Sequence, residues 1–174
     1  AKIRLGTKEH ELAAGDLKKL LGIGLNAPWI QEGLAFIAKV GGRPKDAASH
    51  LKKAIALSPQ SGELYHMLIR LLDDLKDSKE AFAWRKKLTK IDQSNIKLVI
   101  NLIANGTTQG ASRDEILRWG EMGNHIAPFS VEFHMTFARA LVELGLKDRA
   151  RFEAESALLV EPTHAAALDL LKEL

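Results

Sequence analysis

Asp46–Pro59 reads DAASHLKKAIALSP, and the same chemical pattern recurs along the chain at a fixed interval. Small residues open three copies at Ala13, Ala47 and Ala81, which are equally spaced along the chain. A pair of lysines recurs at the same interval, at 18–19, 52–53 and 86–87. A fixed period of about 34 residues predicts stacked helix–turn–helix units.

The end of the pattern recurs as well. Apolar residues close the three copies at Leu20, Ala54 and Leu88. A fourth copy follows after one inserted residue, where Ala150, Ala154, Ala157 and Pro162 repeat the types found at Ala47, Leu51, Ala54 and Pro59. The repetition extends over most of the chain, so we expect residues 1–174 to form a single domain of helical hairpins that each bury apolar surface against their neighbours.

This pattern resembles the tetratricopeptide repeat family, whose unit is two antiparallel helices in about 34 residues with a terminal proline. The resemblance covers about 80% of the chain and divides it into repeats at 28–61, 62–95, 96–130 and 131–164. The third repeat matches least, because Glu115 or Ile116 stands where a small residue is expected and Gly106 interrupts the first helix. The family's aromatic residue early in the first helix is present as Tyr65, with Phe133 one residue out of place.

The resemblance implies an all-α fold, a right-handed α-solenoid of antiparallel helix pairs. Outside the repeats, residues 1–27 form an N-terminal helix that starts near Thr7, either half a repeat or an ordinary capping helix. Residues 165–174 form a C-terminal capping helix. Three leucines of this helix are expected to point inward, at Leu168, Leu171 and Leu174.

Local signals mark several helix ends. Pro28 suits a first helical turn, and the residues 112–115 form a capping box, in which Ser112 and Glu115 bond each other's backbone N–H groups. We expect the helix that follows to end before Gly123.

Composition excludes several classes of protein. The net charge is +3 with a pI near 9.1, and the basic residues form only a thin lysine stripe, so we expect no nucleic-acid partner. No apolar run is as long as a membrane span, so we expect no membrane insertion. There is no cysteine, which removes disulfides and thiolate catalysis. Both the cytoplasm and the periplasm are compatible with this, and we expect the cytoplasm.

No catalytic or metal-binding motif is apparent. The six histidines are scattered, and none forms a helical zinc motif with a second histidine. Neither a GxSxG elbow nor a phosphate-binding GxxxxGK loop occurs. Asp73, Asp74 and Asp77 stand at a helix-to-helix turn, where acids commonly serve as caps. We therefore expect no enzyme, no cofactor and no metal.

In the resembled family, the first helices line an inner groove that holds a segment of another protein. The residues of each first helix that face away from their partner helix are then the candidates for partner binding. They are Trp29, Phe36, His66, Met67, Arg70, Lys97, Ile100, Asn101, Met135 and Arg139. A soluble protein gains little from exposing tryptophan, phenylalanine and methionine unless a partner covers them.

Two alternatives accompany this assignment. Trp29 and Phe36 are core residues if they lie under the N-terminal helix. Some family members clamp the carboxylate end of a chaperone with basic and asparagine side chains at fixed groove positions. Only Lys97 and Asn101 have that chemistry here, so we do not expect such a clamp.

Three functions fit these features. The first is a non-enzymatic scaffold that binds a partner segment in its groove. The second is self-assembly, in which copies stack head to tail through a half-repeat at one end and a helix at the other. The third is an accessory region of a multidomain enzyme such as a transferase. The start at Ala1 without methionine indicates a processed chain or part of a longer protein, and we expect the latter. The lysine stripe is expected to be a solvated outer face.

Overall fold

The computed structural model describes the backbone of residues 2–174 and the side chains of residues 9–174. The described backbone forms ten helices and no strand, which confirms the all-α prediction. They are α1 (Lys2–Gly22), α2 (Pro28–Val40), α3 (Pro44–Leu57), α4 (Gly62–Asp74), α5 (Ser78–Leu88), α6 (Ile96–Gly106), α7 (Arg113–Ile126), α8 (Val131–Glu143), α9 (Lys147–Val160) and α10 (Ala165–Glu173).

The helices group into two compact units. The first unit ends at Ile91 and contains α1 to α5, and the second begins at Asp92 and contains α6 to α10. Within the units, neighbouring helices contact each other as four hairpins, α2–α3, α4–α5, α6–α7 and α8–α9. We call α2, α4, α6 and α8 the first helices and α3, α5, α7 and α9 the second helices. That the chain acts as a single domain stays a prediction.

The turn inside each hairpin uses the same backbone conformation at one position. The loop after the first helix contains a residue with a positive φ, which is Gly42, Lys76, Gly110 or Gly145. This left-handed conformation ends a helix and favours glycine, which has no Cβ to clash with the backbone. Lys76 is the one of these four that is not glycine, and it adopts a φ of 59°.

The start of one helix differs from the expectation, and another helix ends in a tighter turn. The helix α1 begins at Lys2 rather than near Thr7, because nothing before Thr7 breaks a helix except the single Gly6. The helix α5 ends at Leu88, and the N–H groups of Lys90 and Ile91 bond the carbonyls three residues earlier, a tighter turn than an α-helix.

The final helix buries a different face from the one that the sequence predicts. It begins at Ala165, and the His164 ring accepts a hydrogen bond from the Ala167 N–H as its cap. Ala167 is fully buried, whereas Leu168 is exposed, so the prediction that Leu168 points inward is wrong. The inward face lies one residue earlier than the spacing of the leucines suggests.

Gly106 does not interrupt the first helix of the third hairpin, because α6 runs to this residue. A Cβ at Gly106 would lie 3.0 Å from Cγ1 of Ile116, the fourth residue of α7. The fourth residues of the other second helices are Ala47, Ala81 and Ala150. A large side chain on α7 is therefore accommodated by a missing one on α6, which explains why this repeat matches the family pattern least.

Gly123 does not end α7 either. The capping box at Ser112 and Glu115 is confirmed, and the helix then continues through Gly120 and Gly123 to Ile126. A Cβ at Gly120 would overlap the ring of Phe137. These glycines let α7 approach α8 closely enough for large rings to fill the space between them.

Two phenylalanine rings lie between α7 and α8. Phe133 and Phe137 are fully buried and stack with centroids 5.9 Å apart. The Phe133 ring occupies the place where a Cβ of Gly123 would stand. The second unit therefore depends on glycine at both positions of α7.

Replacing Gly123 by alanine should destabilise the protein by about 1–3 kcal/mol, because the new methyl group overlaps a buried ring. The matched control is Gly15→Ala on α1, where no atom lies within 4 Å of the new Cβ. That change should be neutral or stabilise by up to about 1 kcal/mol, since alanine favours a helix over glycine. Chemical denaturation measures both. Equal effects of the two substitutions would contradict the close approach of α7 and α8.

Candidate functional site

A cleft of about 500 Å³ lies in the first unit, where α2, α3 and α4 meet. Its sides come from two helical faces. Phe36, Lys39 and Val40 share one face of α2, because residues three and four apart lie together on a helix. By the same spacing, Met67, Arg70 and Leu71 share one face of α4. The floor is formed by α3 through Ala47 and Leu51.

The walls of the cleft are apolar and open to solvent. Phe36 is 57% exposed and Met67 is 38% exposed, and Val40 is exposed beside them. Their neighbours Ile37 and Leu68 point into the core and are buried. The cleft is therefore a face with large apolar side chains that the described residues do not cover.

The charged side chains of the cleft are cationic. Lys39 and Arg70 both line it. Lys39 lies 3.6 Å from the carboxylate of Asp74, and both side chains are more than half exposed, so this ion pair is weak. In the part of the chain that the structure describes, Arg70 makes no ion pair. Its guanidinium is available for a carboxylate from outside.

The predicted groove residues of the first unit are all on the surface. Phe36, Met67 and Arg70 come together in the cleft. Trp29 and His66 are exposed and lie outside the set that lines it. The alternative that Trp29 and Phe36 are core residues is wrong, since each is more than half exposed.

The predicted residues of the second unit are placed less uniformly. Lys97 is exposed, and Ile100 and Asn101 are half-buried. Arg139 is exposed and lines a smaller cleft of about 220 Å³ between α6 and α8. Lys97, Ile100 and Asn101 are not among the residues that line this smaller cleft.

The prediction that Met135 lines an accessible groove is wrong. This residue is only 5% exposed and belongs to a buried cluster with Ala157 and Ala167, against which Leu170 of α10 also packs. The final helix α10 thus covers the position that would otherwise be open. Met135 does not contribute to an accessible binding face.

Sequence reasoning missed most of the apolar residues of the cleft, among them three large ones. Val40, Leu51 and Leu71 stand at the spacing of core residues, and the pattern alone assigns them to the interior. Val40 could have been identified from the sequence, because it lies one helical turn after Phe36 and therefore on the same face of α2.

A second feature is a side-chain contact between the two helices of a hairpin, which includes titratable residues in two of the hairpins. In three hairpins, the fourth residue of the first helix meets the seventh residue of the second helix. Gln31 and His50 are hydrogen bonded at 2.8 Å, and the rings of Tyr65 and Trp84 meet edge to face with centroids 5.7 Å apart. In the last hairpin, the same positions hold His134 and Glu153. His134, rather than Phe133, therefore stands where Tyr65 does.

His134 and Glu153 are buried. The ring Nδ1 lies 2.7 Å from the Glu153 carboxylate, and Nε2 lies 2.8 Å from the carbonyl of Pro128. The Pro128 carbonyl and an ionised Glu153 carboxylate only accept hydrogen bonds, so this geometry favours the charged ring, which donates from both nitrogens. The hydrogen bond to Glu153 raises the pKa of His134, against the opposing effect of burial.

The pair is a structural element rather than a reactive one. The second oxygen of Glu153 accepts a hydrogen bond from Asn124, so both oxygens are occupied as well. The hydroxyl of Tyr65 bonds the carbonyl of Pro59, as His134 bonds that of Pro128. Each ring ties its first helix to the loop that precedes it.

Among the described residues, no group of three metal-ligating side chains stands close enough to hold an ion. None of the helices within the described range has both the length and the apolar character to cross a membrane.

The model of the tetratricopeptide repeat family matches residues 41–106. Solved structures of this kind have a similar fold over nearly the whole chain. The match with YrrB, described as a TPR protein with an unusual peptide-binding site, has a TM-score of 0.60 and 20% identity, and covers 97% of this chain and 86% of that one. The predicted resemblance to the tetratricopeptide repeat family is thus confirmed over residues 41–106, and the solved structures show that the rest of the chain has a similar fold.

Two further proteins are similar to this chain, one in structure and one in sequence. A structure of MamA from AMB-1 matches with a TM-score of 0.61 and 15% identity, over 97% of this chain and 91% of that one. The BBSome complex member BBS4 from Bos taurus is 28% identical over 109 residues, which is 63% of this chain. The matched stretch spans 21% of the length of BBS4.

The raised pKa of His134 makes stability depend on pH. The stabilisation from the charged ring is fully present below the ordinary histidine pKa of 6.5 and is lost as pH rises through the raised value. Urea denaturation from about pH 6 to about pH 9 should therefore show stability falling with pH. In His134→Gln, which keeps an amide donor as Gln31 does, this fall should disappear.

The pKa of His50 is shifted in the opposite direction, and this shift does not affect the comparison above pH 6.5. Burial lowers the pKa of His50, so its contribution changes only as pH falls below 6.5. Parallel stability curves for the wild type and His134→Gln above that pH would contradict the assignment.

Proposed function

We propose that the cleft formed by α2, α3 and α4 binds a segment of a partner protein, with an apolar side chain inserted between Phe36 and Met67 and a carboxylate bound by Arg70. The tetratricopeptide fold is that of a protein-interaction scaffold. Such scaffolds are generally non-enzymatic, and we propose the same of this chain.

The observation that carries the proposal is the uncovered apolar face. Exposed Phe36, Val40 and Met67 surround one concave space. Removing apolar surface from water favours association by roughly 25 cal/mol for each Å² buried. A partner that fills the cleft therefore gains binding free energy that the isolated chain leaves unused.

The charged side chains of the cleft determine what kind of partner segment can bind. Lys39 and Arg70 line the cleft, and among the described residues no acidic side chain lines it. A guanidinium binds a carboxylate through two parallel hydrogen bonds, which a lysine cannot do. We therefore expect a segment with an acidic residue next to a large apolar one.

The relatives are consistent with this use. YrrB is described as having a peptide-binding site, and its fold is similar to that of this chain. At 20% identity that likeness concerns the fold, so the choice of cleft rests on Phe36, Met67 and Arg70 themselves. No observation in the described residues favours an accessory role in a transferase.

The test begins with selection of binding peptides from a random displayed library, followed by titration of a fluorescent selected peptide. Met67→Glu and Arg70→Glu should each weaken binding at least about tenfold, which is 1.4 kcal/mol. Arg118→Glu on the exposed surface of α7 makes the same charge change away from the cleft and should leave binding unchanged.

A charge exchange identifies the contact with Arg70. Replacing the acidic residue of the selected peptide by lysine should abolish binding to the wild type and restore part of it with Arg70→Glu. Two results would contradict the proposal. One is peptides that lack the acidic and apolar pair, and the other is binding lost only in Arg139→Glu, which would move the site to the second unit.

A further inference from the structure

The smaller cleft between α6 and α8 is built from the same helix positions as the cleft of the first unit. We call these the second cleft and the first cleft. Both are lined by the eighth and ninth residues of the earlier first helix and by the sixth, ninth and tenth residues of the later one. In the first cleft these are Ala35, Phe36, Met67, Arg70 and Leu71, and in the second cleft they are Ile103, Ala104, Thr136, Arg139 and Ala140.

Each cleft also contains an acid that is held away from the arginine. Asp74 or Glu143 follows the arginine by four residues, a spacing at which opposite charges on a helix can pair. In both clefts the acid instead contacts the twelfth residue counted from the start of the earlier helix. Lys39 lies 3.6 Å from Asp74, and the Thr107 hydroxyl donates a hydrogen bond to Glu143.

The arginine of the second cleft is therefore available to a ligand. Arg139 is exposed, and among the described residues it makes no ion pair. A guanidinium has only donors and binds a carboxylate through two parallel hydrogen bonds. Glu143 lines the same cleft and repels a doubly charged phosphate more than a singly charged carboxylate. A carboxylate is thus the anion that suits this arginine.

The two clefts differ in the side chains beside the arginine. Ala104 stands at the position of Phe36, and Thr136 stands at that of Met67. The Thr136 hydroxyl donates a hydrogen bond to a carbonyl of its own helix. The second cleft has a volume of about 220 Å³, against about 500 Å³ for the first. It therefore has room beside the carboxylate for a small side chain rather than a large apolar one.

We propose that the second cleft is a separate site for a partner segment in which an acidic residue stands between small residues such as glycine, alanine or serine. Arg139 binds the acidic side chain. The site lies outside the first cleft and needs none of its residues. It offers less apolar surface to bury, so its ligands bind more weakly than those of the first cleft. Selection against the wild type therefore returns first-cleft peptides.

Selection against the full chain carrying Met67→Glu and Arg70→Glu reveals the second site. Both positions are exposed, so the core is undisturbed. The selected peptides should contain an acidic residue between small ones. Adding Arg139→Glu should weaken their binding at least about tenfold, and so should asparagine or glutamine in place of the peptide's acid. Arg118→Glu makes the same charge change on α7 and should have no effect.

Three results of this selection would overturn the proposal. One is that no peptide is enriched, and another is that binding is indifferent to Arg139→Glu. The third is tighter binding when phosphoserine replaces the acidic residue, because the ligand would then be a phosphopeptide. None of these results bears on the first cleft, whose function is decided by Arg70→Glu alone.

A graft tests the shared arrangement of the two clefts, and this experiment rests on the proposed function of the first. Ala104→Phe and Thr136→Met give the second cleft the apolar side chains of the first. In a chain with Arg70→Glu, they should restore binding of a first-cleft peptide at least about tenfold, and Arg139→Glu should remove it again. Circular dichroism and the melting temperature check that the variants fold. A folded graft without recovery would contradict the shared arrangement.

Discussion

The close approach of neighbouring helices, within and between hairpins, is the constraint on which the rest of the structure depends. The eleventh residue of the second helix is Ala54, Gly123 or Ala157 in three hairpins and Leu88 in the remaining one, and all four are buried. Small residues bring the helix axes together, and the large side chains of the first helix then fill the space. This fixes which face of each first helix turns inward, and so which face remains for a partner. The cleft residues of α2 and α4 are the consequence of that choice.

Much of this follows from the repetition in the sequence. The fixed period predicts the hairpins, and Pro28 and the residues 112–115 mark helix starts that the structure confirms. Gly106 and Gly123 have the pattern of helix breaks, because a single sequence does not show what lies opposite a glycine. Each faces a large side chain from the neighbouring helix, and only the packed structure reveals the exchange of volume between them.

The candidate site was predictable in part for the same reason. Spacing along α2 and α4 places Phe36, Met67 and Arg70 on one side of their helices, and they do come together in the cleft. Spacing cannot show whether another element covers such a face. Met135 stands at a comparable position on α8, yet α10 closes over it. The difference lies in the tertiary packing of the last helix, whose buried face is formed by alanine rather than by its more prominent leucines.

The most direct test is nuclear magnetic resonance of the methionine methyl groups during titration with a selected peptide. The sequence contains three methionines, at 67, 122 and 135, so the spectrum resolves into three probes. Met67 lines the cleft, while Met135 is buried and Met122 lies on α7 in the second unit. The account predicts a saturable change in the Met67 signal, with the other two unchanged. A saturable change at Met122 or Met135 with Met67 unaffected would contradict it.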